Sequence, residues 1–318
     1  MSFFSVQLRQ LRKSLFGIAL EETTFAKRGF YRGDSDAQYR LEQIGATFVQ
    51  GYHAALEDDC FEVLVPSLQN LEAELQGFAF EGAAMGLALL DYFLPPKQRL
   101  ISFMQGPGKN HIYMLHVGAG WTLGRLPRSA RRLMRQFDPL LCWLVLDGYG
   151  FHQGFFSWRH FIDNQALPAR LSGDALHVFD QGLGRSLWFV RGADVAQVSS
   201  TIDAFPAERR GDLWSGIGLA CAYAGGTERG AIEALCNAAG KDRWHLAQGA
   251  AFAAKARQRA GNPAPHTDLA CKVFSGRSSD EATRLTDECL NDLPPGEQAY
   301  ALWRLRLRTQ LAQQDERV

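Results

Sequence analysis

The sequence predicts an all-α protein, an array of about seven αα-hairpin repeats of ~33 residues each. Three observations carry that prediction. Gly51, Gly82, Gly118, Gly148, Gly182, Gly216 and Gly249 recur at intervals of 30 to 36 residues across a chain of 318. Each opens a similar phrase, such as Glu81-Gly82-Ala83-Ala84, Asp147-Gly148-Tyr149-Gly150 or Gln181-Gly182-Leu183-Gly184. The residue before the glycine is polar in six phrases of seven, and the residue two after it is Gly or Ala in six of seven. Turn and cap signals, among them Pro95-Pro96, Gly106-Pro107-Gly108, Pro168, Pro206, Gly225-Gly226 and Gly261-Asn262-Pro263, fall between the phrases as two helices per unit require.

Residues 1–35 read as a lead-in. Leu8, Leu11, Leu15 and Ile18 have helical spacing, and Gly29 and Gly33 then interrupt it. Asp34 or Ser35 is placed to cap the first repeat helix. The repeats span 36–263. Ala175 to Val190 contains a β-like run, Leu187-Trp188-Phe189-Val190, but its phase matches the repeat and predicts helix. Residues 264–318 are more polar and degenerate, as expected of capping helices. The array would be an open superhelix or close into a ring around a central cavity. A glycine inside a helix costs about 0.5–1 kcal/mol relative to alanine. Recurrence therefore needs a reason, and close approach of neighbouring helices supplies one.

The 34 Lys and Arg balance the 34 Asp and Glu, so the total charge gives no footprint for nucleic acid or an anionic membrane. No stretch approaches the ~20 apolar residues of a membrane span. The N-terminus lacks the apolar core and cleavage site of a signal peptide. Six cysteines without a C-x-x-C pair read as reduced thiols of a cytoplasmic protein.

Most motif readings fail on context. Gly118-x-Gly120 and Gly148-x-Gly150 loosely match cofactor-binding text, but no strand precedes them and both lie in the repeat phase. Asp58-Asp59-Cys60-Phe61-Glu62 resembles a magnesium-diphosphate motif without the second carboxylate cluster. No G-x-S-x-G elbow is present. No cofactor is evident. A metal ion remains an option for a His and carboxylate set, although H-E-x-x-H and H-x-x-x-H spacings are absent.

The stronger signal is the polar phrase residue. Glu81, Asp147 and Asp180 lie in otherwise apolar helices, where a charge is expensive unless paired, hydrated or metal-bound. His116 and His152 occupy neighbouring phases, and Arg185 is placed to pair with a carboxylate. Equivalent repeat positions would line one surface, so Glu81, His116, Asp147, His152, Asp180 and Arg185 form the candidate catalytic set. The competing reading is a structural polar ladder, which suits Gln181, Ser215 and Gln248 at the same phase. The aromatic residues Trp121, Trp143, Tyr149, Phe151, Trp188 and Trp214 are the candidate walls of an apolar substrate cavity.

Several longer phrases together carry a resemblance. They are Phe78-Ala-Phe-Glu-Gly-Ala-Ala-Met-Gly-Leu-Ala-Leu-Leu-Asp91, Tyr113-Met-Leu-His-Val-Gly-Ala-Gly-Trp121, Leu146-Asp-Gly-Tyr-Gly-Phe-His-Gln-Gly-Phe155, Phe179-Asp-Gln-Gly-Leu-Gly-Arg-Ser-Leu-Trp188, Asp212-Leu-Trp-Ser-Gly-Ile-Gly-Leu-Ala-Cys-Ala-Tyr223 and Gln248-Gly-Ala-Ala-Phe-Ala-Ala-Lys-Ala-Arg257. From about Phe16 to about Arg304 the chain resembles the UnbL-type proteins. These are bacterial proteins encoded beside the iterative polyketide synthase of enediyne gene clusters. The resemblance implies a role in turning a linear polyene into an enediyne core and supplies no catalytic residue. It implies as partners the hydrophobic polyene and the polyketide synthase or other cassette proteins. The expected protein is an enzyme acting on the polyene in an aromatic-lined helical cavity. The alternative is a non-catalytic scaffold that binds the synthase or shelters its product.

Overall fold

A computed structural model describes residues 11–94 and 97–313. Among these residues the chain is helical, with no strand. Seven long inner helices carry the glycine phrases: α1 (Ser35–Glu57), α3 (Gln76–Phe93), α5 (Ile112–Trp121), α7 (Leu144–Phe156), α8 (Asp174–Val190), α10 (Ala207–Ala224) and α12 (Arg243–Ala260). Shorter outer helices return between them: α2 (Phe61–Gln69), α4 (Arg99–Gln105), α6 (Ala130–Met134), α9 (Val195–Asp203), α11 (Arg229–Ala239) and α13 (Pro265–Ser275). The fourth unit has no α-helical return. A π-helical turn, Arg159–Asp163, takes its place. Helices α14 (Ser279–Glu288) and α15 (Ala299–Ala312) close the end of the array. The seventh inner helix is followed by α13 as its outer arm.

Local sequence sets these limits. Asp34 caps α1 by accepting from the backbone N–H groups of Asp36 and Ala37. Gly261 ends α12 in the left-handed conformation, and Pro265 opens α13. Ser278 and Glu281 form a reciprocal capping box on α14. Leu187 to Val190 lies inside α8, where its side chains are buried between neighbours on both sides.

The glycines set the spacing of the inner helices. A methyl group placed on any of the seven phrase glycines would sit 1.9–2.1 Å from a backbone carbonyl oxygen of the adjacent inner helix. Gly118, Gly148, Gly182, Gly216 and Gly249 meet the carbonyls of Glu81, Val117, Asp147, Gln181 and Ser215, the residues that precede the previous phrase's glycine. The second glycine of each G-x-G faces the helix on the other side. Gly120 meets Val145, Gly150 meets Phe179, Gly184 meets Leu213 and Gly218 meets Leu246. The phrases that resemble cofactor text are thus two-sided helix contacts.

The array curls until its ends meet. Arg40 of α1 donates to the Ala224 carbonyl of α10 at 2.6 Å. Arg257 on α12 and Asn262 just beyond it donate to the carbonyls of Glu74 and Ala73 at 3.3 and 3.0 Å. Phe78 of α3 meets Tyr223 of α10 edge to face at 5.1 Å. The inner helices therefore surround a common centre. The lead-in crosses one side of that centre as a helix over 11–16, a tight turn at Leu20–Thr23 and a single helical turn at Phe25–Arg28. No helix is long and apolar enough to cross a membrane among the described residues. No disulfide joins any of the six cysteines, all of which lie among the described residues.

Candidate functional site

In six inner helices the residue before the phrase glycine lies on one buried face. In α1 Gly51 packs as the second glycine of the later phrases does, so Gln50 is exposed and Phe48 holds the equivalent place. In α3 the residue before the glycine is Glu81. Its neighbours Phe80, Ala83 and Ala84 are buried, and Glu81 is itself 2% exposed. One carboxylate oxygen accepts from the Trp121 indole at 2.9 Å. The other lies 3.9 Å from the Arg185 guanidinium, beyond hydrogen-bonding distance. Burial drives the Glu81 carboxyl from 4.5 up to about 7, against the opposing pull of Arg185 and the Trp121 hydrogen bond. Asp147 adds to the rise by repulsion. Near neutral pH this carboxyl therefore exchanges a proton inside an apolar wall.

Arg185 stands between the two carboxylates. It donates to Asp147 through a short hydrogen bond and lies over the Phe151 ring at 5.0 Å. Burial works against this cation, but Asp147 and Glu81 outweigh it and hold its proton affinity above the usual guanidinium value. With Glu81 protonated, the centre reduces to one compensated ion pair, Arg185 with Asp147.

Two small cavities of about 40 Å³ each flank this cluster. Glu81 and Arg185 face the first, with Phe48, Phe78, Trp121, Phe151, Phe155 and Phe189. Ile18, Glu22 and Thr23 of the lead-in supply another part of its wall. Asp147 and Arg185 face the second, with Tyr113, Phe252, Tyr300 and Trp303. Tyr223 lines both. Its hydroxyl is buried without a hydrogen-bond partner, and burial raises its proton affinity. Gly77 makes room for it, since a methyl there would lie 2.0 Å from the hydroxyl oxygen.

Beyond Asp147 the same register forms a ladder. Gln181 donates to Asp147 at 2.8 Å, Ser215 to Gln181 at 3.2 Å and Gln248 to Ser215 at 3.1 Å. Arg308 and Arg304 of the capping helix donate to Gln248 at 3.1 and 3.4 Å. Arg304 continues to Asp212 at 2.6 Å, and Asp212 to His177 at 2.7 Å. The structural and chemical readings of the phrase residue thus occupy different units. Gln181, Ser215 and Gln248 are rungs, Asp147 joins rung and centre, and Glu81 faces a cavity.

The structure brings Glu81, Asp147 and Arg185 together and places the rest of the expected set elsewhere. Asp180, one residue off register, lines neither cavity and accepts a two-pronged pair from Arg209 at 2.6 and 2.8 Å. His116 hydrogen-bonds its own helix at the Ile112 carbonyl, 2.7 Å away, and meets Phe137 edge to face. His152 is wedged against Gly124 and the edge of Trp121. Burial, with Arg125 and Arg28 nearby, pushes it down to about 3. Among the proposed aromatic walls, Trp121 and Phe151 line the first cavity. Tyr149 packs on Phe179, Trp188 donates to the Gly225 carbonyl, and Trp214 is core. Trp143 instead lines an open groove of about 660 Å³ with His177, Asp212, His245, Tyr300 and Arg304. No group of three or more His, Cys, Asp or Glu side chains is placed to hold a metal ion among the described residues.

Sequence reading passed over Tyr223 and the His177–Asp212–Arg304 chain. Tyr223 closes the phrase Asp212 to Tyr223, but nothing in that text distinguishes a cavity tyrosine from core. Arg304 lies 56 residues from Gln248 in the polar terminal segment, so only the closing of the array reveals its partner.

The chain belongs to the family described as "Protein of unknown function (DUF1702)", whose model matches residues 7–311. It matches no curated protein and no solved structure.

Proposed function

We propose that the protein binds a linear, apolar, unsaturated molecule beside Glu81 and moves a proton on it, as one step in maturing the polyene of an iterative polyketide synthase toward an enediyne core. The observation that carries the reading is the Glu81 carboxyl, buried in an aromatic wall with its proton affinity raised to about 7. A general acid or base works best when its affinity lies near the operating pH. The aromatic lining suits a polyene, and the pathway is the one implied by the UnbL-type phrases. Glu81 would hold or accept the proton. Trp121 orients one of its oxygens, and Arg185 stabilises the ionised form. Tyr223 offers an unpaired hydroxyl in the same cavity.

A free volume of about 40 Å³ is far below the 300–1,000 Å³ of ordinary ligand pockets. The ligand must therefore displace part of the wall. The lead-in is the candidate, because Ile18, Glu22 and Thr23 line the cavity from outside the repeats. Polar contacts hold it. Arg28 donates to the Phe155 and Phe156 carbonyls at 3.1 and 2.6 Å and to Glu22 at 2.7 Å. The second reading is a non-catalytic scaffold that binds the synthase or shelters its product, and the small volume favours its synthase-binding form.

Incubation of the purified protein with the synthase's polyene, followed by mass spectrometry, tests both. The catalytic reading expects conversion by the wild type, with loss of conversion but retained binding in Glu81→Gln. Full conversion by that variant sinks the assignment of Glu81. Binding without conversion by the wild type favours the holder.

A further inference from the structure

The charge balance of the whole chain conceals a local imbalance. Residues 125–135 contain Arg125, Arg128, Arg131, Arg132 and Arg135 and no carboxylate. Arg125, Arg131, Arg132 and Arg135 are exposed. Arg128 lies over the Tyr92 ring at 5.6 Å. Tyr92 opens an exposed apolar run at the end of α3, with Tyr92, Phe93 and Leu94 at 37, 46 and 44% exposure. Phe93 stacks on Phe16 of the lead-in at 4.9 Å, and the same lead-in helix exposes Leu11 and Leu15. A groove of about 670 Å³ among α3, α4 and α6 is lined by Tyr92, Ile101, Arg128 and Arg132, and its one carboxylate, Asp91, is paired with Arg99 at 3.1 Å. Arg128 and Arg132 thus share a groove with Tyr92, and Phe93 joins that end of α3 to the exposed leucines of the lead-in helix.

We propose that this surface docks on an anionic lipid bilayer. Guanidinium groups beside protruding aromatic and aliphatic side chains match headgroup phosphates above an acyl layer. An acidic protein would satisfy the arginines but gives less account of Phe93, Leu94, Leu11 and Leu15 together. The position of the patch supports the lipid. Phe16 within it is two residues from Ile18, which lines the Glu81 cavity. A docked molecule would hold the lead-in wall of that cavity against the bilayer, where an apolar ligand dissolves. That last link rests on the cavity reading, whereas the docking itself does not.

Sedimentation of the full chain with vesicles tests the docking. One set is phosphatidylcholine alone, and the other contains a third phosphatidylglycerol. Binding is expected only to the anionic set and falls with added salt. The double variant R131E/R132E should bind at least 25-fold more weakly, from about fivefold for each arginine removed. F93S/L94S should bind more weakly at unchanged salt dependence. Circular dichroism confirms that each variant is folded. Equal sedimentation with both vesicle sets, or no effect of R131E/R132E, overturns the proposal. Capture by polyglutamate without binding to anionic vesicles also overturns it and gives the surface to an acidic protein. Glu81→Gln should dock like the wild type, so failure of docking and failure of the cavity chemistry are read separately.

Discussion

Glu81 and the run Asp147–Gln181–Ser215–Gln248 share a register yet face opposite chemical situations. In the run each amide or hydroxyl gives and receives within hydrogen-bonding distance. Glu81 has one neutral donor and a cation at 3.9 Å, and its remaining surroundings are aromatic. The backbone register is common to both. What differs is the neighbour one unit away. Gln181 follows Asp147, but Val117 follows Glu81, so the ladder has no rung there. A position that is structural in four units is left chemically open in one because its partner is apolar.

Substitutions along the register would break or sharpen this contrast. The largest effect is expected at the joint. Asp147→Ala leaves Arg185 buried with only the distant Glu81 carboxyl, which should destabilise the fold by about 3–5 kcal/mol in denaturant titration. An effect below that of an ordinary surface change would mean that Arg185 repairs itself through water.

Glu81 should instead reveal itself through pH. Its affinity rises from 4.5 unfolded to about 7 folded, so the native state binds the extra proton. Stability from this group is fully present below about pH 4.5 and is lost as pH rises through about 7. At about 1.4 kcal/mol per pH unit the loss totals roughly 3 kcal/mol. The E81Q variant should lack that decline. A protonated-carboxyl infrared band that titrates near pH 7 in the wild type and is missing in the variant would confirm the assignment. Identical pH–stability profiles would refute it.

Ser215→Ala strands Gln181 and Gln248 together and should cost about 1–3 kcal/mol, with no change in the pH profile assigned to Glu81. At the outer end of the network the effect should be smallest. His177 is half exposed, and its hydrogen bond to Asp212 raises its affinity above 6.5. Its contribution is present below pH 6.5 and fades as pH rises through the folded value. Replacing it with Gln should cost under about 1 kcal/mol at pH 6 and less at pH 8, because solvent screens the pair.

The period, the helical class and the reason for the glycines were legible because close packing writes small residues at fixed intervals. The convergence of Glu81, Asp147 and Arg185 was partly legible, since all three are charges in apolar helices. His116, His152 and Asp180 share that signature but serve local needs. A residue one step off register turns about 100° around its helix, and sequence proximity to the phrase conceals that turn. Tyr223 and Arg304 were illegible for a different reason. Their surroundings come from units far along the chain and exist only once the array has curled. The arginines of 125–135 were hidden by a chain-wide total that cancels them.

The contacts from Arg40, Arg257 and Asn262 that join the two ends of the array have a consequence for how it comes apart. An open row of repeats frays from its termini, one unit after another, because each end has a neighbour on one side only. Here the first units lean on the last, so neither terminus is a free place to begin. Such a molecule is expected to melt as a whole. Removing either end unit would cost the opposite end its support as well.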